Sequence, residues 1–260
     1  LPFLSRKKAE FGVGIARMED RYFQTNIIDF SETKHDESTY SIFGGSIVLE
    51  GSTLNARQFA TQGSREKMAA QIFTGTEHFR SGISKVTKGT PEPYKKVQSW
   101  LQVSYQNETY HKVSPKFTLG AYLEAYYSSR NFSNNYTATL MQAGEFTPTA
   151  HSKVTYNEAF RANQYAGVGT MPIYQLSESF QLRGEFYGFI PIFPIKKDEY
   201  GQAYYGKAFT KFEYLGEISL VFQLSFGSIS AYVNHYSSPS NDWNVGLTLG
   251  WQLFNSRFVE

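Results

Sequence analysis

Six charged residues concentrate the chemistry that this sequence could offer. Arg183 and Glu185 stand two apart, Lys211, Glu213 and Glu217 continue at the same parity, and Arg161 lies upstream of them. Alternate residues of an extended chain share a face, so this spacing gathers both signs of charge on one side of a sheet. Opposite charges on neighbouring strands pair with one another before they select a solute. The expectation is an ionic cluster of Arg161, Arg183, Glu185, Lys211, Glu213 and Glu217, with Lys207 beside it, forming a satisfied polar lumen wall rather than a substrate pathway. The histidines His35, His78, His111, His151 and His235 are scattered without ligand spacing, which argues against a metal site. They read as exposed loop or interface side chains. The chain has no cysteine, which removes disulfides, thiol catalysis and thiolate ligands together. No catalytic residue and no cofactor is assigned.

The element that carries most of these charges is an alternating ribbon over residues 207–226. Phe212, Tyr214, Ile218, Leu220, Phe222, Leu224 and Phe226 interleave with Lys211, Glu213, Glu217, Ser219, Gln223 and Ser225, with Phe209, Leu215 and Val221 the exceptions at the polar parity. Such a ribbon is about three times the usual strand length of soluble proteins. A bilayer-spanning strand needs about 9–11 residues and can continue beyond the lipid. Near the C-terminus, Val245, Leu247, Leu249, Trp251 and Leu253 alternate in the same way. A soluble lipocalin-like barrel or β-sandwich alternates too, but the strand lengths and the gathering of Lys and Glu on one side favour the membrane. Leu220, Phe222, Leu224, Leu247, Leu249 and Trp251 are therefore expected to face lipid.

Period-two alternation recurs over 43–50, 66–79, 100–106, 117–128, 164–176, 180–190 and 229–234, and no amphipathic helix is expected. Residues 10–30 read either as one strand or as a hairpin turning at 19–20. Connections at 111–116, 177–179 and Gly227 are short. Those at 31–39, 80–96, 130–163, 196–205 and 237–242 are long and rich in Ser, Asn, Lys and Pro. Outer-membrane barrels have short periplasmic turns and long outer loops, so this rhythm puts the C-terminus in the periplasm. The 51–64 connection falls on the periplasmic side and is long for that side. The 130–163 stretch reads as an outer loop that either folds into the lumen or hides a further hairpin, and its start, 128–136, reads as solvated outer surface. Trp100, Trp243 and Trp251 are expected to anchor the membrane interfaces.

Composition agrees with an all-β membrane chain. Charged residues make up 18% and aromatics 17%, an excess that suits interfacial aromatic girdles. A net charge of +2 without a Lys/Arg cluster argues against nucleic-acid binding. No apolar run is long enough for a helical span. The absence of a basic-apolar-small leader at Leu1 reads as a mature chain or a fragment.

Four stretches resemble a specific group. Residues 54–63 (LNARQFATQG), 146–149 (FTPT), 160–166 (FRANQYA) and 182–189 (LRGEFYGF) are similar to the barrel that ends patatin-like phospholipases of Bacteroidetes. That barrel belongs to the bacterial surface-antigen superfamily, which includes BamA-type assembly proteins and two-partner-secretion transporters. The resemblance covers residues 40–260. It implies a barrel of about sixteen strands, of which only about ten to twelve are countable here, so early strands are missing or the barrel is smaller. It also implies an inward-folded loop whose Arg-Gly-aromatic tip pairs with an acidic residue of the inner wall. Arg161-Ala162-Asn163 is the nearest match, without the Gly, and Glu185, Glu213 and Glu217 are the candidate partners. A patatin active site needs a Gly-x-Ser-x-Gly elbow and an Asp on a Gly-rich turn. This chain has neither a Gly-x-Ser-x-Gly nor an Asp-Gly pair, so any catalytic domain lies upstream.

The resulting expectation is a single antiparallel transmembrane β-barrel domain over residues 1–260, in the outer membrane of a Gram-negative bacterium. It would anchor, or connect across the membrane, an N-terminal patatin-like phospholipase domain and would itself be non-catalytic. The alternatives are a polypeptide assembly or secretion barrel and a diffusion porin. The implied partners are the lipid bilayer, lipopolysaccharide and the barrel-assembly machinery, with a homodimer as the alternative to a monomer. Asn244, Gly246, Leu249 and Trp251 fit the polar-x-Gly-x-x-apolar-x-apolar pattern of a last barrel strand.

Overall fold

The computed structural model describes residues 7–23, 35–82, 93–133, 135–238 and 243–251. Along the chain run β1 (Lys7–Tyr22), β2 (Asp36–Ser52), β3 (Gly63–Arg80), β4 (Tyr94–Lys112) and β5 (Phe117–Ser128). A short helix α1 (Tyr136–Gln142) follows, then the two-residue strands β6 (Gly144–Glu145) and β7 (Arg161–Ala162). The chain continues through β8 (Gln164–Gln175), β9 (Phe180–Pro191), β10 (Ile195–Lys197), β11 (Ala203–Tyr205), β12 (Glu213–Leu224), β13 (Gly227–Tyr236) and β14 (Trp243–Trp251). Ten of these form one antiparallel meander in the order β1-β2-β3-β4-β5-β8-β9-β12-β13-β14. The two small pairs, β6 with β7 and β10 with β11, stand apart from it. The chain is thus all-β, with each long strand paired to its nearest neighbour in sequence, as hairpin connections require. Among the described residues β1 and β14 form no ladder with each other.

Alternation decides what each face of this sheet carries, and the usual assignment is inverted. On β12, Glu213, Leu215, Glu217, Ser219 and Val221 are buried, while Tyr214, Ile218 and Leu220 are exposed. On β9, Gln181, Arg183 and Glu185 are buried and Leu182 and Phe186 exposed. On these strands one face, covered by protein, is rich in charge; the other, open, is rich in hydrocarbon. The open face continues across the sheet through Ile15, Phe43, Ile72, Leu101, Leu119, Leu123, Val168 and Leu247. Strand register places these in contiguous rows: Phe11, Ile47, Ala70 and Val103 lie opposite one another across β1 to β4.

Several expectations need correction. The ribbon over 207–226 is a strand only from Glu213. Phe209 has a positive φ of 55° and its N–H donates to the Ile192 carbonyl, so 207–212 returns from the β10–β11 hairpin instead of continuing the ladder. The trace of the break in the sequence is Phe209 itself, an apolar residue at the polar parity. Phe212 is accordingly a loop residue. β1 begins at Lys7, and no hairpin turns at 19–20: Glu19 pairs with Thr39 and Asp20 with Ser38 in an unbroken ladder. The part of that expectation beyond residue 23 falls on 24–34, outside the described residues. The 130–163 stretch holds a seven-residue helix, too short to register as a periodicity. The 128–136 region is solvated only in part: Ser129 and Asn131 are exposed, but Ser128, Ser133 and Asn135 are buried. Trp100 is buried on the covered face, whereas Trp243 is 69% exposed on the open one. The side chain of Trp251 lies outside the described residues.

Gly63, at the start of β3, has a φ of +93°, and a Cβ there would stand 2.1 Å from the Thr53 carbonyl oxygen. Gly63→Ala is expected to destabilise the fold by about 1–3 kcal/mol, through left-handed strain and this clash. Urea unfolding of the purified chain checks it, read as a lower midpoint at unchanged slope.

Candidate functional site

The covered face is filled by two segments that enter from opposite ends of the sheet. The first, 53–62, joins β2 to β3 at the end where the other turns are short. Asn55 folds it on itself by accepting from the Thr61 and Gln62 N–H groups at 3.0 and 3.1 Å. Its backbone carbonyls then dock on the sheet. Arg183 Nη1 donates to the Ala60 oxygen at 2.9 Å, and the Gln181 and Gln223 amides donate to the Phe59 oxygen at 3.3 Å. Ser228 donates to Gln58 Oε1 at 3.1 Å. Arg183 is fully committed: Nε meets Glu185 at 3.1 Å, and the guanidinium lies over the rings of Phe59 and Tyr110. A buried charge is tolerated only when it is so paired and hydrogen-bonded.

The second segment runs from 129 to 163. Phe146 and Phe160 pack among Tyr122, Tyr165, Tyr187, Phe189 and Tyr236 in the largest buried cluster. Gly167 on β8 permits this approach, since a Cβ there would stand 2.1 Å from the Phe146 ring. Helix α1 is capped at both ends. Asn135 accepts from the Ala138 N–H at 2.8 Å, and Arg161 Nη1 donates to the carbonyls of Leu140, Met141 and Ala143. Burial pushes the phenol of Tyr136, the first helical residue, up to about 12.

The tip of this segment is fastened to the sheet by one carboxylate. Glu217 accepts from His151 Nδ1 at 2.6 Å, from Thr149 Oγ1 at 3.2 Å and from Asn234 Nδ2 at 3.5 Å. With Nδ1–H given to the carboxylate, Nε2 accepts from the Ser230 hydroxyl at 3.2 Å. The imidazole also stacks on Tyr232, centroids 3.7 Å apart, and touches Phe59 at 6.5 Å, so the two inserted segments meet. His151 is 3% exposed and Glu217 2%.

Ser230, His151 and Glu217 have the hydrogen-bond order of a Ser-His-acid relay, but the surroundings oppose catalysis. Ser230 is 1% exposed and stands in mid-strand behind the imidazole, with no strained elbow presenting it. Lifting the 146–160 segment to admit an acyl group would carry away the base. The arrangement is a latch.

The expected ionic cluster separates into four pairs. Arg183 binds Glu185, Lys211 binds Glu213 at 3.3 Å, and Glu217 takes His151. Arg161 pairs at 2.8 Å with Glu145, a residue of its own segment, and not with Glu185, Glu213 or Glu217. Glu213 also accepts from the Ser237 hydroxyl. Lys207 is in the loop before β12. Leu220 and Leu247 and Leu249 lie exposed on the open face, Phe222 and Leu224 half-buried on it. His151, read from the sequence as an exposed loop residue, is the main correction. Its signal lay in its neighbours, a Thr-x-His spacing that puts two donors on one carboxylate, and that partner is 66 residues away. Among the described residues no cluster of metal-ligating side chains occurs. No family model matches the chain, and no curated protein matches it.

Breaking one partner of a buried pair is costly, on the order of 3–5 kcal/mol. Glu217→Ala and His151→Ala should therefore loosen the segment around exposed Lys153. Trypsin cleavage after Lys153 is expected to be at least tenfold faster than in the unaltered chain, followed by mass spectrometry. An unchanged rate would remove the latch.

Proposed function

We propose that this chain is an outer-membrane β-barrel domain that anchors an upstream patatin-like phospholipase domain, with its water path closed from both ends. The observation that carries the membrane reading is the segregation of charge across β1 to β4. On the open face of β1, Lys7 and Arg17 bound a stretch that reads Ala9, Phe11, Val13, Ile15 at alternate positions. The matching rows on β2, β3 and β4 carry no charge between Glu66 and His78 on one strand, or between Tyr105 and Lys95 on the next. Lys7 and Arg17 are ten residues apart, about 34 Å along a strand at about 3.4 Å per residue. At the tilt of about 40° usual for barrel strands this is about 26 Å of height, close to the apolar band of an outer-membrane barrel. On the opposite face of the same strands Lys8, Glu10, Glu50, Arg65, Lys67 and Glu108 gather at the short-turn end, joined by pairs such as Arg65–Glu50 at 2.8 Å.

Aromatic side chains frame the band. At the long-loop end Tyr214, His235 and Trp243 stack across three strands, centroids 5.8 and 4.8 Å apart. At the short-turn end Phe180 meets Phe222 at 5.1 Å. Such girdles belong where hydrocarbon gives way to headgroups. Short turns mark the periplasmic end, so the C-terminus of β14 lies in the periplasm. The filled polar face favours an anchor over a diffusion porin, which needs open water along that face. The assignment to phospholipases rests on the resemblance of residues 54–63, 146–149, 160–166 and 182–189, and the catalytic residues would belong to sequence upstream.

A lysine at mid-bilayer costs on the order of 2–4 kcal/mol. Leu220→Lys is expected to abolish refolding into lipid vesicles, assayed by protease protection and circular dichroism, while Lys153→Leu leaves it intact. Equal tolerance of both, or an unaltered chain that stays folded and monodisperse without detergent, would sink the membrane reading.

A further inference from the structure

The two rims of the open face differ in how their charges are used. At the short-turn rim Lys7 pairs with Glu66 at 3.3 Å, and Tyr105 donates to the same carboxylate. At the long-loop rim of β1 to β4 the charges are mostly unspent. Arg17, Arg80 and Lys95 are exposed, and none has a carboxylate within 4 Å among the described residues; His78, register partner of Lys95, is likewise unpaired. Two carboxylates share this rim. Glu19 is engaged by Arg21, and Glu37, opposite both Arg21 and Arg80, makes no ion pair. Four cations thus face two carboxylates on one patch. Immediately below it lie Ile15, Phe43, Ile72, Val97 and Leu101, all exposed.

We propose that this rim binds the phosphorylated headgroup of an outer-leaflet glycolipid, a lipopolysaccharide, whose acyl chains lie on the apolar rows beneath. The inference rests on the membrane reading above. A cation above a hydrocarbon surface is complementary to a lipid phosphate, and Arg suits phosphate in particular through paired N–H donors. The spread of the cations selects the lipid. Arg17 is on β1 and Lys95 on β4, three strand spacings or about 14 Å across the sheet, with Lys95 two residues beyond the row of Arg17. One phosphate cannot reach both, whereas a headgroup carrying two phosphates can. The asymmetry fits the geometry of such a membrane, because this rim is the one with the long loops. The periplasmic rim, facing ordinary phospholipid, neutralises its lysine internally.

The test uses the full chain refolded in detergent micelles and immobilised for surface plasmon resonance. Bis-phosphorylated lipopolysaccharide, its enzymatically dephosphorylated form and phosphatidylglycerol are titrated in turn. Lipopolysaccharide should bind at least tenfold more tightly than either of the others. The double change Arg80→Ala with Lys95→Ala should weaken it at least tenfold, and Lys7→Ala at the opposite rim should leave it unaltered. Lys95→Gln, which removes the charge at an exposed position and keeps a polar side chain, keeps the test available should the double variant fail to refold, with a loss of at least threefold expected. Equal binding of the dephosphorylated form, equal binding of phosphatidylglycerol, or indifference to the rim changes would each overturn the proposal. These failures are distinct from that of the membrane reading, which is decided by the solubility of the chain without detergent before any lipid is added.

Discussion

A sheet that turns hydrocarbon outward must keep its charges on the other face, and those charges must then be satisfied by protein. That single constraint runs through the whole molecule. The alternation of side chains along each strand gives no freedom: every second residue belongs to the open face and its neighbours to the covered one. Long strands raise the stakes. β4, at 19 residues, commits about half of its side chains to each environment, and a one-residue slip would exchange Lys and Glu for Val and Leu along its length.

The covered face answers this constraint by local pairing and by inserted chain. Arg183 spends its donors on Glu185, Gln181, Tyr110 and the Ala60 carbonyl, so one guanidinium both neutralises a carboxylate and holds the 53–62 segment. Glu217 does the reciprocal service for the 146–160 segment. Aromatic rings fill what remains, with Phe146 and Phe160 packed against Phe189 at centroid distances of 5.5 and 5.6 Å. The segments are therefore part of the fold's electrostatic balance as well as its packing, and they meet where Phe59 approaches His151.

Much of the architecture was legible because its cause is local. Period-two alternation in 117–128, 164–176 and 180–190 matches β5, β8 and β9 within a residue or two, and the exposure of Leu220, Leu247 and Leu249 follows from the same parity. Where alternation met a backbone that turned aside, it misled: the pattern carries the ribbon through 207–212 with Phe209 as an exception, yet Phe209 sits at positive φ and the ladder starts later. The short helix α1 fell below the length at which a 3.6-residue period can be recognised. Its stability comes from Asn135 and from an arginine 18 to 21 residues away, neither of which leaves a periodic mark.

The partners of individual charges were not legible at all. Arg161, Arg183, Glu185, Lys211, Glu213 and Glu217 could be put on the polar side of the sheet by parity, but parity is silent on who meets whom. His151 reached Glu217 across 66 residues, and Trp100 slid under Arg130, at 4.5 Å, because the 129–163 segment folds back over the sheet. The sequence by itself determined strand character and which residues share a face, since these depend only on neighbours one or two residues apart. Only the tertiary structure decided which carboxylate holds the inserted segments and which cations stay unpaired at the rim. Those outcomes depend on distances between residues remote along the chain, and no local pattern encodes them.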